Sequence, residues 1–398
     1  MNNGWFFKLA PVWSALALAL VLIFGLSDFG NAAGKGGGGK PSQPPPSAAN
    51  PVIVFKSGSD IVLADADGGN RTLVHKTIVS LNAASWCSPD GTDVVFVDEI
   101  NGDRGVYRLK VIEVDGSGNR TVQVGQPQLI AKTNDIGLTR PTCSPAPIGL
   151  DQKIKVVFRD REVEPDGSLS PYDNLYLATL NEDFSEDINP VLLLDGEQRG
   201  GLAQFNPSWS PLGDRIVFSS APWNSGPYDV EVVEFHWDAT PNLILDGIQS
   251  LVRDVSGSPL GLRDTFLRPS WSNNGERIVV DADSADSVTN AHEIWIIPVA
   301  NPAGAEQVIY DQNSDVIRAD VAWSPDDSQL IYLRNPRRGM CGEGDGKKVK
   351  GNVIAISNIG GKYDPIGVCD EVAIIKGGNG WPDLAGRFPD WWRGAPQQ

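Results

Sequence analysis

The chain is poor in the residues on which most enzyme chemistry depends. Its 398 residues include 4 cysteines, 3 histidines and 2 methionines. Histidine is the side chain most readily used to move protons near neutral pH, yet His75, His236 and His292 all fall in predicted strands, where packing and surface roles prevail. There is no Gly-x-Ser-x-Gly pentapeptide to present a serine at a strand-to-helix elbow. No Cys-x-x-Cys or histidine pair accompanies the cysteines, which argues against a zinc site. Helical periodicity is missing after the first 33 residues, which excludes bundles and α/β architectures. Basic charge is scarce as well: 33 Lys and Arg stand against 50 Asp and Glu, a net charge of -17. That balance, with no polybasic stripe, excludes a nucleic-acid backbone or an anionic membrane surface as partner. The acidic surplus serves solubility and association with basic partners.

What the chain has in quantity is a recurring phrase: an aromatic anchor, a tight turn and an apolar strand. It reads ASWCSPDGTDVVF around Trp86, PSWSPLGDRIVF around Trp209, PSWSNNGERIVV around Trp271 and VAWSPDDSQLIY around Trp323. In PTCSPAPIGLDQKIKVVF, Cys143 holds the tryptophan place. A sixth copy, FPDWW, reaches Trp391 with no apolar strand after it, and PVIVF at 51–55 supplies the missing strand from the other end. The anchors are 57, 66, 62, 52 and 68 residues apart, enough for four short strands each. Proline presets φ in the Ser-Pro-Asp-Gly turn and glycine accepts positive φ. β-rich runs at 174–180, 191–194, 292–299 and 307–310 complete the units. Such a unit cannot cover both faces alone and must stack on its neighbours. The expectation is an all-β, six-bladed β-propeller over 51–398. One blade mixes N- and C-terminal strands, with 52–55, 61–65 and 72–75 completing the blade that Trp391 begins. The anchors Trp86, Cys143, Trp209, Trp271, Trp323 and Trp391 are read as packing residues between blades.

These phrases resemble the WD40-like repeats of the TolB-like six-bladed propellers, and IVLADADGGNRTLV at 61–74 resembles that family's strand, Asp-x-Asp-Gly turn and strand. The resemblance covers roughly residues 51–398 and is specific for fold. It implies an envelope protein as partner, such as a peptidoglycan-associated lipoprotein. The family also includes propellers that gate prolyl oligopeptidase-like hydrolases.

Residues 1–33 carry Lys8, an apolar run from Val12 to Leu26, and Asn31-Ala32-Ala33, the layout of a secretory signal peptide cut near Ala32 or Ala33. The alternative is an uncleaved N-terminal membrane anchor, which would be the only contact with a membrane. The segment 34–50, rich in Gly and then Pro, is a linker. Both versions place the propeller outside the cytoplasm, periplasmic, secreted or tethered. An even cysteine count fits an oxidising compartment. Cys341 and Cys369 flank a strand of one blade and form the disulfide candidate, while Cys87 and Cys143 either meet or are buried singly.

Two kinds of polar group offer chemistry. Asp65, Asp67 and Asn70 have the early spacing of a calcium loop, but the twelfth position is Lys76, so a hairpin turn is the better reading. Asp281, Asp283 and Asp286 form an acidic group that could hold calcium; no other cofactor is expected. Three residues before each anchor stand Ala83, Arg140, Asn206, Arg268, Asp320 and Phe388. If the anchor strands are innermost, these residues meet at one mouth of the central channel, and Arg140 and Arg268 could grip a carboxylate. The competing reading pairs each arginine with a local acid such as Asp135 or Asp264. The function expected is a non-catalytic scaffold binding a protein or peptide ligand, with no nucleic acid as partner. The alternative is a propeller hydrolase or lyase with a metal or carboxylate site at the channel.

Overall fold

The computed structural model divides into two units, Met1–Pro46 and Ser47–Gln398. It describes residues 53–78, 83–87, 91–117, 120–137, 140–149, 151–181, 185–222, 228–238, 243–252, 268–283, 292–309, 317–335, 353–359, 371–376 and 386–391. The expected leader, the linker and the Cys341–Cys369 pair lie outside them. Within the second unit the described strands form six four-stranded antiparallel sheets and one two-stranded ribbon. No described helix is long and apolar enough to cross a membrane.

Blade one is the mixed blade. Its innermost strand Gly386–Trp391 pairs with Ile53–Ser57, followed outward by Asp60–Ala64 and Thr72–Lys76. Blades two to six begin on the inner strands Ala84–Cys87, Thr142–Cys143, Leu202–Trp209, Ser270–Trp271 and Ile317–Trp323. The ribbon, Ile112–Val114 with Arg120–Val122, is an insertion before the outer strand of blade two. Each inner strand touches the inner strands of the blades before and after it, and Gly386–Trp391 touches both Ile317–Trp323 and Ala84–Cys87. The ring is therefore closed by chain ends, as the phrase count predicts.

The core lies in the seams between blades, because a four-stranded sheet buries its faces only against its neighbours. Among the described residues, five apolar clusters each join two successive blades. Val157, Leu175 and Leu193 of blade three, for example, pack on Trp209, Ile216 and Phe218 of blade four. Trp209, Trp271 and Trp323 are at most 1% exposed. The Trp209 indole N–H donates to the Thr142 carbonyl at 3.1 Å, and the Trp323 indole to the Ser270 carbonyl at 3.0 Å, so each tryptophan also pins the preceding blade. Arg215 stacks on Trp271 at 5.0 Å and Arg277 on Trp323 at 4.7 Å, both from the blade before. Blade three has no indole to offer, and there Cys143 is bonded to Cys87 of blade two, with Cα atoms 5.1 Å apart. The side chain of Trp391 lies outside the described residues.

Candidate functional site

Strand direction gives the propeller two unlike rims. Inner strands begin, second strands end and third strands begin on one rim. That rim carries the connection 161–173, and the described strands on either side of 253–267, 284–291 and 336–352 end and begin on it. The opposite rim carries the repeated Ser-Pro-type turns, such as Ser210–Gly213 and Ser324–Asp327, closed by backbone hydrogen bonds of 3.0 Å, together with the blade-two ribbon and the connections 144–154 and 180–190. Uneven connections on an even scaffold are where binding surfaces arise.

Of the positions three before the anchors, Ala83, Arg140 and Arg268 just precede the inner strands of blades two, three and five, whereas Asn206, Asp320 and Phe388 lie within the inner strands of blades four, six and one. At two of them the backbone is bulged: Asn206 has φ 50° and Asp320 φ 60°, the left-handed region that asparagine and aspartate tolerate best. Both residues are buried. The two arginines are not free to grip a ligand. Arg140, 6% exposed, places Nη2 3.3 Å from Asp390 of blade one and Nε 3.5 Å from the Ser85 hydroxyl of blade two. Asp390 also accepts the Trp86 backbone N–H at 3.0 Å, so one carboxylate ties three blades at the axis. Arg268 pairs with Asp320, the equivalent position of the next blade, and its backbone N–H donates to Asp281 at 2.9 Å. The arginines therefore pair with acids, as the competing reading has it, and among the described residues these acids are Asp390 for Arg140 and Asp320 for Arg268; Asp264 lies outside the described residues. Ala83 is buried, and the Phe388 side chain lies outside the described residues.

Asp281 is 2% exposed and is engaged by Arg268, while the Asp283 side chain and Asp286 lie outside the described residues. No three His, Cys, Asp or Glu residues among those described are grouped to hold a metal ion. Asp65–Asn70 closes as a hairpin turn, with the Gly68 N–H on the Asp65 carbonyl at 2.8 Å and the Asn70 amide on the Asp65 carboxylate at 2.6 Å. The histidines are placed as strand residues. His75 bonds Asp98 at 3.1 Å across the seam of blades one and two, and His236 pairs with Asp246 on the surface.

Several polar groups on this rim carry no motif in the sequence. Lys56, 1% exposed, donates to the Thr77 hydroxyl and the Ser59 carbonyl. Burial pulls its ammonium down to about 8, against the raising pull of Asp98 and Asp60. Arg159 of blade three bonds Asp135 at 2.7 Å, Asp173, and the Gly137 carbonyl at 2.8 Å, and lies over the Phe205 ring of blade four at 5.6 Å. Asp160 accepts from the Thr133 hydroxyl at 2.6 Å and from the Asn134 and Asp135 backbone, yet burial still pushes its carboxyl up. Arg199 bonds Glu231 at 2.6 Å, and the Ser220 hydroxyl donates to the same carboxylate oxygen at 2.5 Å. The only hint in the sequence was an acid, Asp390, at a position filled by serine before Trp86, Trp209 and Trp271.

No family model matches the chain, and no curated protein matches it. Similar solved structures include hydrazine synthase of Kuenenia stuttgartiensis, at 14% identity over 77% of this chain and 74% of that chain, with a TM-score of 0.43. A nidogen/laminin complex is similar at 12% identity over 78% of this chain and 90% of that chain, with a TM-score of 0.40. The chain is an all-β propeller similar to a putative TolB from Agrobacterium tumefaciens, at 14% identity over 81% of this chain and 88% of that chain, with a TM-score of 0.48.

Proposed function

We propose that this propeller is a non-catalytic scaffold that binds a protein or peptide outside the cytoplasm, on the rim where its inner strands begin. The observation that carries the reading is the asymmetry between the rims. The rim where inner strands begin carries the 161–173 connection and receives both ends of 253–267, 284–291 and 336–352, while the other carries the repeated turns and the blade-two ribbon. The rim's arginines, paired between blades, hold the inner strands in place and leave recognition to the connections above them. The Cys87–Cys143 bond supports an oxidising compartment, consistent with the leader read in residues 1–33.

Site-specific photocrosslinking in the source cell tests this. A photoreactive residue replaces exposed Asp103 or Asp166 on the proposed rim, or exposed Leu212 or Glu276 on the other. The expected result is a discrete protein adduct from the first pair alone. Adducts from the second pair alone, or from neither pair, reject rim docking.

A further inference from the structure

The seam between blades three and four holds three buried polar groups that the fold leaves unsatisfied. The register places Gln204 directly opposite Ser220, on the face of blade four that carries Phe218 and packs against blade three. Gln204 is 0% exposed, and neither its amide nitrogen nor its amide oxygen has a hydrogen-bond partner. Across the seam, Asp173 of blade three is also 0% exposed; one carboxylate oxygen bonds Arg159 and the other, Oδ2, has no partner. Arg199, on the connection between the two blades, spends Nη2 on Glu231 while its buried Nη1 has none. Glu231 is linked to Ser220, the residue facing Gln204, so Arg199 and Gln204 belong to one polar group. The connection is drawn tight against both blades: a Cβ at Gly196 would meet the Leu202 carbonyl oxygen and the Asp173 carbonyl oxygen.

An orphaned buried polar group is costly, and native folds rarely retain several together without something that completes them. The chemistry of the set is specific. Asp173 Oδ2 and Gln204 Oε1 accept hydrogen bonds, and Gln204 Nε2 and Arg199 Nη1 donate them. Acceptors of this kind suit an ammonium, and the donors suit a carbonyl or carboxylate. Burial pushes the Asp173 carboxyl up despite Arg159, a penalty that a bound cation would offset.

We infer that this seam binds an α-ammonium group together with its neighbouring carbonyl or carboxylate, as presented by a free α-amino acid or by the N-terminus of a peptide. In its peptide form the inference deepens the rim reading and rests on it; in its amino-acid form it stands apart.

Isothermal titration of the purified full chain with glycine, triglycine and N-acetyl-triglycine tests it. Saturable binding of glycine alone points to a small zwitterion. Binding of triglycine points to a peptide N-terminus, and N-acetyl-triglycine should be silent in both cases. Gln204→Leu and Arg199→Lys should each weaken the binding about tenfold or more. Gln204→Leu replaces an unpaired amide with an apolar side chain and should melt at or above the wild-type temperature, and Arg199→Lys keeps a cation beside Glu231, so both variants should remain folded. Absence of binding by glycine and triglycine to folded wild type overturns the inference, as does equal binding of the acetylated probe or binding unchanged in both variants. The titration contains no partner protein, so its outcome is independent of the crosslinking result.

Discussion

Removing the Cys87–Cys143 bond should cost the propeller about as much as losing a core tryptophan. The bond spans a separation of 56 residues and joins the inner strands of blades two and three. Closing a loop of that length in the unfolded chain removes roughly 14 cal/mol/K, or about 4 kcal/mol at 25 °C. The propeller unit, Ser47–Gln398, is of the size for which unfolding entropy reaches about 0.7 kcal/mol/K. Dividing one by the other gives a fall in melting temperature of about 6 °C for the Cys87→Ser/Cys143→Ser variant. Differential scanning calorimetry with and without a thiol reductant reads it directly. Reductant should shift the wild type by a similar amount and leave the double variant unmoved. A double variant melting within about 1 °C of a wild type whose bond is intact by mass spectrometry would refute the loop-constraint argument.

Three further perturbations probe the ring. Lys56→Met removes a buried ammonium held near 8 against an ordinary value of 10.5. Between those values the unfolded chain binds more protons than the folded one, so wild-type stability should rise with pH across that window by about 3 kcal/mol. Urea melts at pH 7 and pH 10 should find that rise lost in the variant, which gains a similar amount at pH 7; identical pH profiles would contradict it. Arg268→Ala removes the guanidinium facing the buried Asp320 carboxylate and should cost about 3–5 kcal/mol, with much of the loss recovered in Arg268→Ala/Asp320→Ala. Additive losses in that double-mutant cycle would mean the pair is not coupled. Deleting residues 381–398 removes the inner strand of blade one and should destabilise the whole ring, so a truncated chain that melts like the full one contradicts closure by both ends.

The fold was legible in the sequence because each blade spells out its own strands. Trp, a Pro- or Gly-bearing turn and an apolar run are local signals, and strand boundaries shifted by only a residue or two, as with Asn174–Thr179 for the run 174–180. The seams were not legible, because a repeat states what lies within a blade and not which residues face each other across it. Arg140 meets Asp390 at a separation of 250 residues, and nothing near either one marks the other. Cys87 and Cys143 occupy near-equivalent anchor positions, yet their bonding depended on the angle between two blades. Burial of Lys56 and Gln204 was equally hidden. Each looks like an ordinary polar strand residue until the adjoining blade covers it.

Closure by both ends also sets an order of events in time. Ile53–Ser57 is made early, but its inner partner Gly386–Trp391 is made more than 300 residues later, so the first blade waits while the others assemble. Throughout synthesis, and during any passage across a membrane, that waiting strand presents a bare apolar edge open to mispairing with other chains. A circular permutant whose new ends fall between two blades would make the first blade in one piece and hide that edge from the start. It should therefore refold from denaturant with less aggregation than the natural order, at equal final stability.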